Sequence, residues 1–394
     1  MPDGFPIALR ANLPSQPGPG EATPRVRFLR DLAGVVLVTA CYILAGKLGL
    51  RLAFANASAT AVWPPTGIAL VAFLLIGYRA WPGILLAAFL TNLTTAGGIA
   101  TSASIAVGNT LEGMLGAYLV NRFAGGLCSF ERVRDVFKFV FFGAVLSTSV
   151  SATCGVTSLI LGGLARWSDY GTIWLTWWLG DATGDLIVAP LLILWATSNI
   201  VSWNRKHLLE AGTLTLLLLL VGEVVFGGLF PSSHKNYPLE FMCIPCLIWA
   251  ALRFGQRGVA TVTFLLSGIA IRGTLLGFGP FVGKTQNESL LLLQAFMGVT
   301  AVMTMTLATI VSERRRAELD REKLILELQE ALSKVKTLKG LIPICAVCKN
   351  IRDDQGYWNH IESYIREHSQ ADFTHGICPA CVKRLYPEEW KSAS

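Results

Sequence analysis

Asp181 and Asp185 lie four residues apart within WWLGDATGDLIVAP, residues 177–190, a stretch otherwise apolar enough to cross a membrane. On a helix that spacing puts both carboxylates on one face, which Trp177 shares. A carboxylate at mid-membrane costs about 2.5 to 3.5 kcal/mol on insertion scales, so a pair needs a reason to be there. Two reasons are open. Gly180 and Gly184, also four apart, let another helix approach closely, and the aspartates beside that contact could be hydrogen-bonded or paired with Arg272. Alternatively, Asp181, Asp185, Glu112, Glu223 and Arg272 form a ligand, cation or proton site inside a bundle, with Asn92, Asn109 and Gln294 as uncharged members. Asp181, nearer the outer end of its span, is the expected sensory residue, and Asp185, one turn deeper, the expected structural one.

The second chemistry is sulfur. Cys345 and Cys348 form one C-x-x-C, Cys378 and Cys381 another. Two such knuckles supply the four thiolates that structural zinc prefers. The 29 residues between the pairs exceed the usual ribbon spacing, and a helix carrying Trp358, Ile361, Ile365 and His368 on one face would fill them. On that face His368 reads as a packed residue, and His375, three before Cys378, as the substitute ligand. Cys243 and Cys246 make a third C-x-x-C, on a helix interrupted by Pro245, where two thiols pack as small apolar residues or form a redox pair. Cys41, Cys128 and Cys154 lack metal spacing and read as packing residues. His207 and His234 fall at span ends, which argues against an intramembrane catalytic histidine.

The elements that must position these groups are membrane helices. Hydrophobic residues make up 53% of the chain and charged residues only 15%, with a mean hydropathy of +0.52, whereas a soluble chain would be about a quarter charged. The net charge of +7 is scattered through short inter-helix segments without a continuous basic face, which argues against nucleic acid as a partner. Apolar stretches fall at roughly 32–50, 64–78, 82–97, 103–121, 136–160, 172–197, 208–230, 238–252, 258–278 and 289–312. Arg79; Arg122, Arg132 and Arg134; Arg205 and Lys206; Arg253 and Arg257; and Arg314 to Arg316 occupy alternate loops, as ten spans with both termini in the cytosol require. Eight spans is the alternative if two short ones are re-entrant. Residues 1–30, rich in Pro and Gly, read as a disordered cytosolic leader. The expected domains are then the leader, a transmembrane domain over 31–312, a linker over 313–338 and a cytosolic module over 339–394. Such a tail sits in a reducing compartment, which disfavours disulfides.

The linker has a seven-residue apolar beat: Ile310, Ala317, Leu324, Ala331 and Leu338 on one seam position, Leu328 and Val335 on the other, with Arg314 and Arg321 making its start polar. A short parallel coiled coil, and hence a homodimer, is expected. The fold class is an all-α polytopic membrane protein with eight to ten transmembrane helices, a short coiled coil and a small zinc-binding-like module.

Three stretches carry a resemblance: AVWPPTGIALVAFLLIGYRAWPGILLAAFLTNL (61–93), GNTLEGMLGAYLVNR (108–122) and the region 151–193 with its W-W-x-G-D. Together they resemble the membrane-associated sensor domain of the MASE type, first class, over about 32–312. The resemblance implies a bacterial inner-membrane sensor, commonly of eight spans, followed by a cytosolic output such as a diguanylate cyclase or histidine kinase. The tail LIPICAVCKNIRDDQGYW is similar to a small C-terminal module found after sensor and receiver domains. No G-G-D-E-F, kinase glycine-rich loop, G-x-x-x-x-G-K-[ST] or H-E-x-x-H occurs in the sequence, so the expectation is a non-enzymatic sensor acting on a cytosolic partner. The alternatives are a transporter or channel whose path uses the intramembrane carboxylates, or a membrane enzyme.

Overall fold

A computed structural model of the chain describes residues 24–51, 60–95, 98–197, 204–228, 239–334, 341–369 and 371–386. His234, Val335 and Leu338 and the first 23 residues of the expected leader lie outside them. The chain divides into two units, Met1–Arg314 and Arg315–Ser394, close to the expected boundary at 312.

The first unit is helical. α1 (Pro24–Arg51) begins inside the expected leader, with proline at its first position, where the missing N–H costs nothing. α2 (Pro64–Leu75) and α3 (Trp81–Leu93) each open on proline in the same way and are short. α4 (Ile99–Phe123) follows. α5 (Val133–Phe139) and α6 (Thr148–Leu161) make one span through a wide turn of π-helix at Val140–Leu146. α7 (Tyr170–Thr197) and α8 (Arg205–Phe226) are next. α9 (Ile244–Leu275) contains one non-helical residue, Gly255, at φ 63 and ψ −156, a conformation only glycine adopts easily. That break separates the eighth and ninth expected spans. Pro245 stands in the first turn of α9 and does not interrupt it, contrary to expectation. α10 (Gln286–Lys334) continues from the last expected span into the linker.

Among the described residues six helices are long and apolar enough to cross a membrane. α4 is long enough at 25 residues but more polar, because its buried side carries Ser102, Asn109, Thr110 and Glu112. α2 and α3 have only 12 and 13 residues, less than the ~20 a full crossing takes. The chain is a helical membrane protein, with its outward leucines and phenylalanines placed where lipid would cover them.

The second unit departs from the all-α expectation. Ile351–Arg352 (β1) and Trp358–Asn359 (β2) pair antiparallel, with Ile351 opposite Asn359. Asp353 closes the hairpin: its Oδ1 accepts from the backbone N–H of Gln355 and Tyr357, and Gly356 takes the positive φ of 91. IRDDQGYW is therefore a turn motif, and Trp358 belongs to a strand and not to the expected helix. That helix, α11, is Ile361–His368; α12 (Pro379–Leu385) follows.

Candidate functional site

The packing of α2 on α7 builds the site. A Cβ on Gly184 would lie 2.3 Å from the carbonyl oxygen of Trp63, and one on Gly67 would lie 2.7 Å from that of Gly184. Only glycine allows this approach, which explains the glycines of both WPP-T-G and G-D-A-T-G-D. The Trp63 N–H donates to the Gly180 carbonyl at 2.9 Å, which ties the entry of α2 to the middle of α7. Gln294 of α10 braces the junction by donating from Nε2 to the carbonyls of Thr60 and Thr176, both at 3.1 Å.

Asp181 sits at this junction, 1% exposed. Its Oδ1 accepts from Thr66 Oγ1 at 3.0 Å. Ser151 Oγ lies 2.9 Å from both Asp181 Oδ2 and Asn109 Oδ1 and has one proton to share between them, while Trp177 Nε1 donates to Ser151 at 3.2 Å. Asn109 Nδ2 then donates to the Tyr42 hydroxyl at 3.1 Å. The network thus draws on α1, α2, α4, α6 and α7.

Glu112 and Asp185 belong to the same assembly, 2% and 1% exposed. Ser151 also hydrogen-bonds Glu112, whose charge is felt by Asp181 and Asp185. One oxygen of each, Glu112 Oε1 and Asp185 Oδ1, has no hydrogen-bond partner. Among the described residues no Lys, Arg or His stands beside any of the three carboxylates. A buried orphan oxygen costs about 1–3 kcal/mol, more if charged, so the arrangement is not the cheapest packing. Asp181 is the hydrogen-bonded carboxylate and Asp185 the one with an orphan oxygen.

Arg272 does not pair with the aspartates. Arg272 Nη1 donates to Glu223 Oε1 at 2.8 Å, and both side chains are well exposed, at 63% and 45%. The five expected site residues therefore separate into a buried trio and an α8–α9 surface pair. Sequence reasoning missed Ser151, Thr66 and Tyr42. Thr66 lay inside the WPP-T-G stretch, but serine and tyrosine in apolar helices carry no distinguishing signal.

A cavity of about 20 Å³, room for a single water-sized group, touches the network where α1 ends and α2 begins. Trp63, Trp177, Asp181 and Asn109 line it. At the other end of α7, Arg257 stacks over Trp195 and Arg253 Nε donates to both Glu210 oxygens, beside a larger, mainly apolar cleft. Cys243 and Cys246 are buried packing residues, Cys154 packs against Gly108, and Cys41 and Cys128 are exposed.

In the second unit each C-x-x-C forms a local knuckle. The Cys348 backbone N–H, with that of Val347, holds the Cys345 thiol below its ordinary pKa, and the Cys381 N–H does the same for Cys378. Lys349, directly after the first pair, takes a left-handed φ of 64 that completes the turn. This suits thiolate ligands. The two knuckles do not converge, however: among the described residues no three His, Cys, Asp or Glu side chains form a group able to hold a metal. His375 faces Glu362, with Nε2 3.6 Å from Oε2, not the cysteines. His368 is exposed and stacks on Tyr364 at 4.1 Å, contrary to its expected place in a packed face.

Fold and site together define a helical membrane protein with a carboxylate network sealed in its bundle. The MASE1 family matches residues 35–315, and the chain belongs to that family of membrane sensor domains. It is similar to the probable diguanylate cyclase DgcE of Escherichia coli (strain K12), 26% identical over 208 residues. That match covers 52% of this chain and only 18% of the relative. No solved structure matches the chain significantly.

Proposed function

We propose that the chain is a bacterial inner-membrane sensor, with both termini cytosolic and eight to ten membrane passes, in which the Asp181, Asp185 and Glu112 network detects the stimulus. The observation that carries this reading is the three buried carboxylates without a basic partner, two of them with an orphan oxygen. A purely structural group would be satisfied or absent, whereas a site that changes state on binding keeps unspent capacity. α10 would carry the change out of the bundle, because one helix holds both Gln294 of the network and the linker. Leu324 and Leu328 on the linker seam are 64% and 61% exposed, which favours a second copy as their cover and so a homodimeric coiled coil. The tail would present the output to a cytosolic partner, since these 394 residues hold no cyclase, phosphodiesterase or kinase signature. We extend the reading to zinc on the two knuckles, held by Cys345, Cys348, Cys378 and Cys381 once the pairs are drawn together.

The test replaces the tail after Lys334 with a diguanylate cyclase domain and compares membrane-extracted yield with cyclic-dinucleotide output. Asp181→Asn keeps the site's shape and removes its charge. It is expected to insert at wild-type yield and to fix the output in one state. Wild-type regulation at wild-type yield would leave all three carboxylates as packing groups.

A further inference from the structure

The cavity beside Asp181 has a chemistry that narrows what can enter it. Each donor side chain on its wall already points at a protein acceptor: Thr60 at the Val62 carbonyl, Asn92 at the Ala88 carbonyl, Asn109 and Trp63 at the Tyr42 hydroxyl, and Trp177 at Ser151. What remains toward the cavity is the second amide N–H of Asn92 and of Asn109, acceptor capacity, two indole rings and a carboxylate with no cation beside it. Directly behind the wall, Gln294 is fully buried and spends both its donor bonds on backbone carbonyls, which leaves its Oε1 without a partner. One unsatisfied acceptor therefore stands behind the wall, and the Asp181 carboxylate on it, with no cation beside it, disfavours an anionic ligand. A metal ion is disfavoured as well, because among the described residues no three acidic, histidine or cysteine side chains are grouped to hold one. The remaining class is a compact donor cation, and the cavity of about 20 Å³ sets its size at a single –NH3+ group. Trp63 and Trp177 add the aromatic faces that attract such a group once it is desolvated.

We infer that the cavity lined by Trp63, Trp177, Asn92, Asn109 and Asp181 binds the ammonium group of a small primary amine, or ammonium itself. This rests on the sensory reading of the network and names its ligand class. The –NH3+ group donates to Asp181 and to the amide oxygens around it, beside Leu50 and Thr60 on the wall where α1 ends. On the proposed topology that end faces outward, so the ligand is extracellular.

The experiment uses the full chain in lipid nanodiscs at constant ionic strength, titrated with ammonium chloride, methylamine hydrochloride, tetramethylammonium chloride or sodium chloride. Tryptophan fluorescence and thermal stability are read together. Ammonium and methylamine are expected to give a saturable fluorescence change and a rise in Tm, while tetramethylammonium, too large for the cavity, and sodium give neither. Asp181→Asn is expected to weaken both responses at least tenfold, and Trp63→Phe to remove most of the fluorescence change. Asn92→Leu, which fills the cavity and leaves the carboxylates in place, is expected to abolish binding even if Asp181→Asn is not recovered folded. An absent response, an equal response to sodium or tetramethylammonium, or undiminished binding in Asn92→Leu overturns the assignment. If amines fail to bind while Asp181→Asn still fixes the cyclase output, the ligand class falls and the sensory network stands. If amines bind while Asp181→Asn leaves the output regulated, the network binds without sensing.

Discussion

Glycine and aspartate alternate through G-D-A-T-G-D because each does what the other cannot. Gly180 and Gly184 bring the backbone of α2 into contact with α7, and Asp181 receives Thr66 only because that approach is so close. Gly184→Ala would put a methyl 2.3 Å from the Trp63 carbonyl, backbone that cannot swing aside as a flexible side chain would. It is expected to cost at least about 1–3 kcal/mol and to lower extracted yield, measured by size-exclusion fluorescence in detergent. Gly171→Ala, with open space at its Cβ, serves as the control and should cost little. Much of this scale was legible in the sequence. Two carboxylates in an apolar span are expensive enough to mark a site, and small residues at a spacing of four mark a helix contact. The partners were not legible, because Ser151 and Tyr42 reach Asp181 and Asn109 from helices 30 or more positions away in sequence. Nor was the fate of Arg272: a basic residue in an apolar stretch pairs with whichever carboxylate its neighbour presents, and α8 presents Glu223.

Among the elements, hydropathy located each apolar stretch, and among the described residues each of the ten contains helix. What it could not fix was whether a short helix crosses the membrane, since α2 and α3 owe their ends to Pro64, Pro82 and their neighbours and not to bilayer thickness. The tail shows the opposite case, where local chemistry overrode a periodic pattern. Trp358, Ile361, Ile365 and His368 fit one helical face, but Asp353 and Gly356 form a hairpin turn that claims Trp358 for a strand. The knuckles are elements of the same kind, each set by backbone N–H groups turned toward its first sulfur. Full-length protein is expected to carry one zinc per chain by atomic emission. Cys345→Ser or Cys381→Ser should lose it, and added zinc should not restore it. Unchanged metal content after replacing all four cysteines would remove the site from the tail.

At the scale of the whole molecule, the account needs the detecting end and the output end on opposite sides of the membrane. The cavity lies where α1 meets α2, and the linker is the C-terminal part of α10. Reporter fusions after residue 30 and after residue 316 are both expected to read cytosolic, and an external signal at either would discard this topology. The central claim is that the charge state of the Asp181 network sets the arrangement of the linker in a dimer. It is tested by spin labels placed at Glu322, exposed on the linker, with the distance between the two copies measured in nanodiscs for wild type and Asp181→Asn. A label pair close enough to show a dimer, with a distance distribution that shifts on Asp181→Asn, is the predicted result. Superimposable distributions from two equally folded proteins would contradict the claim.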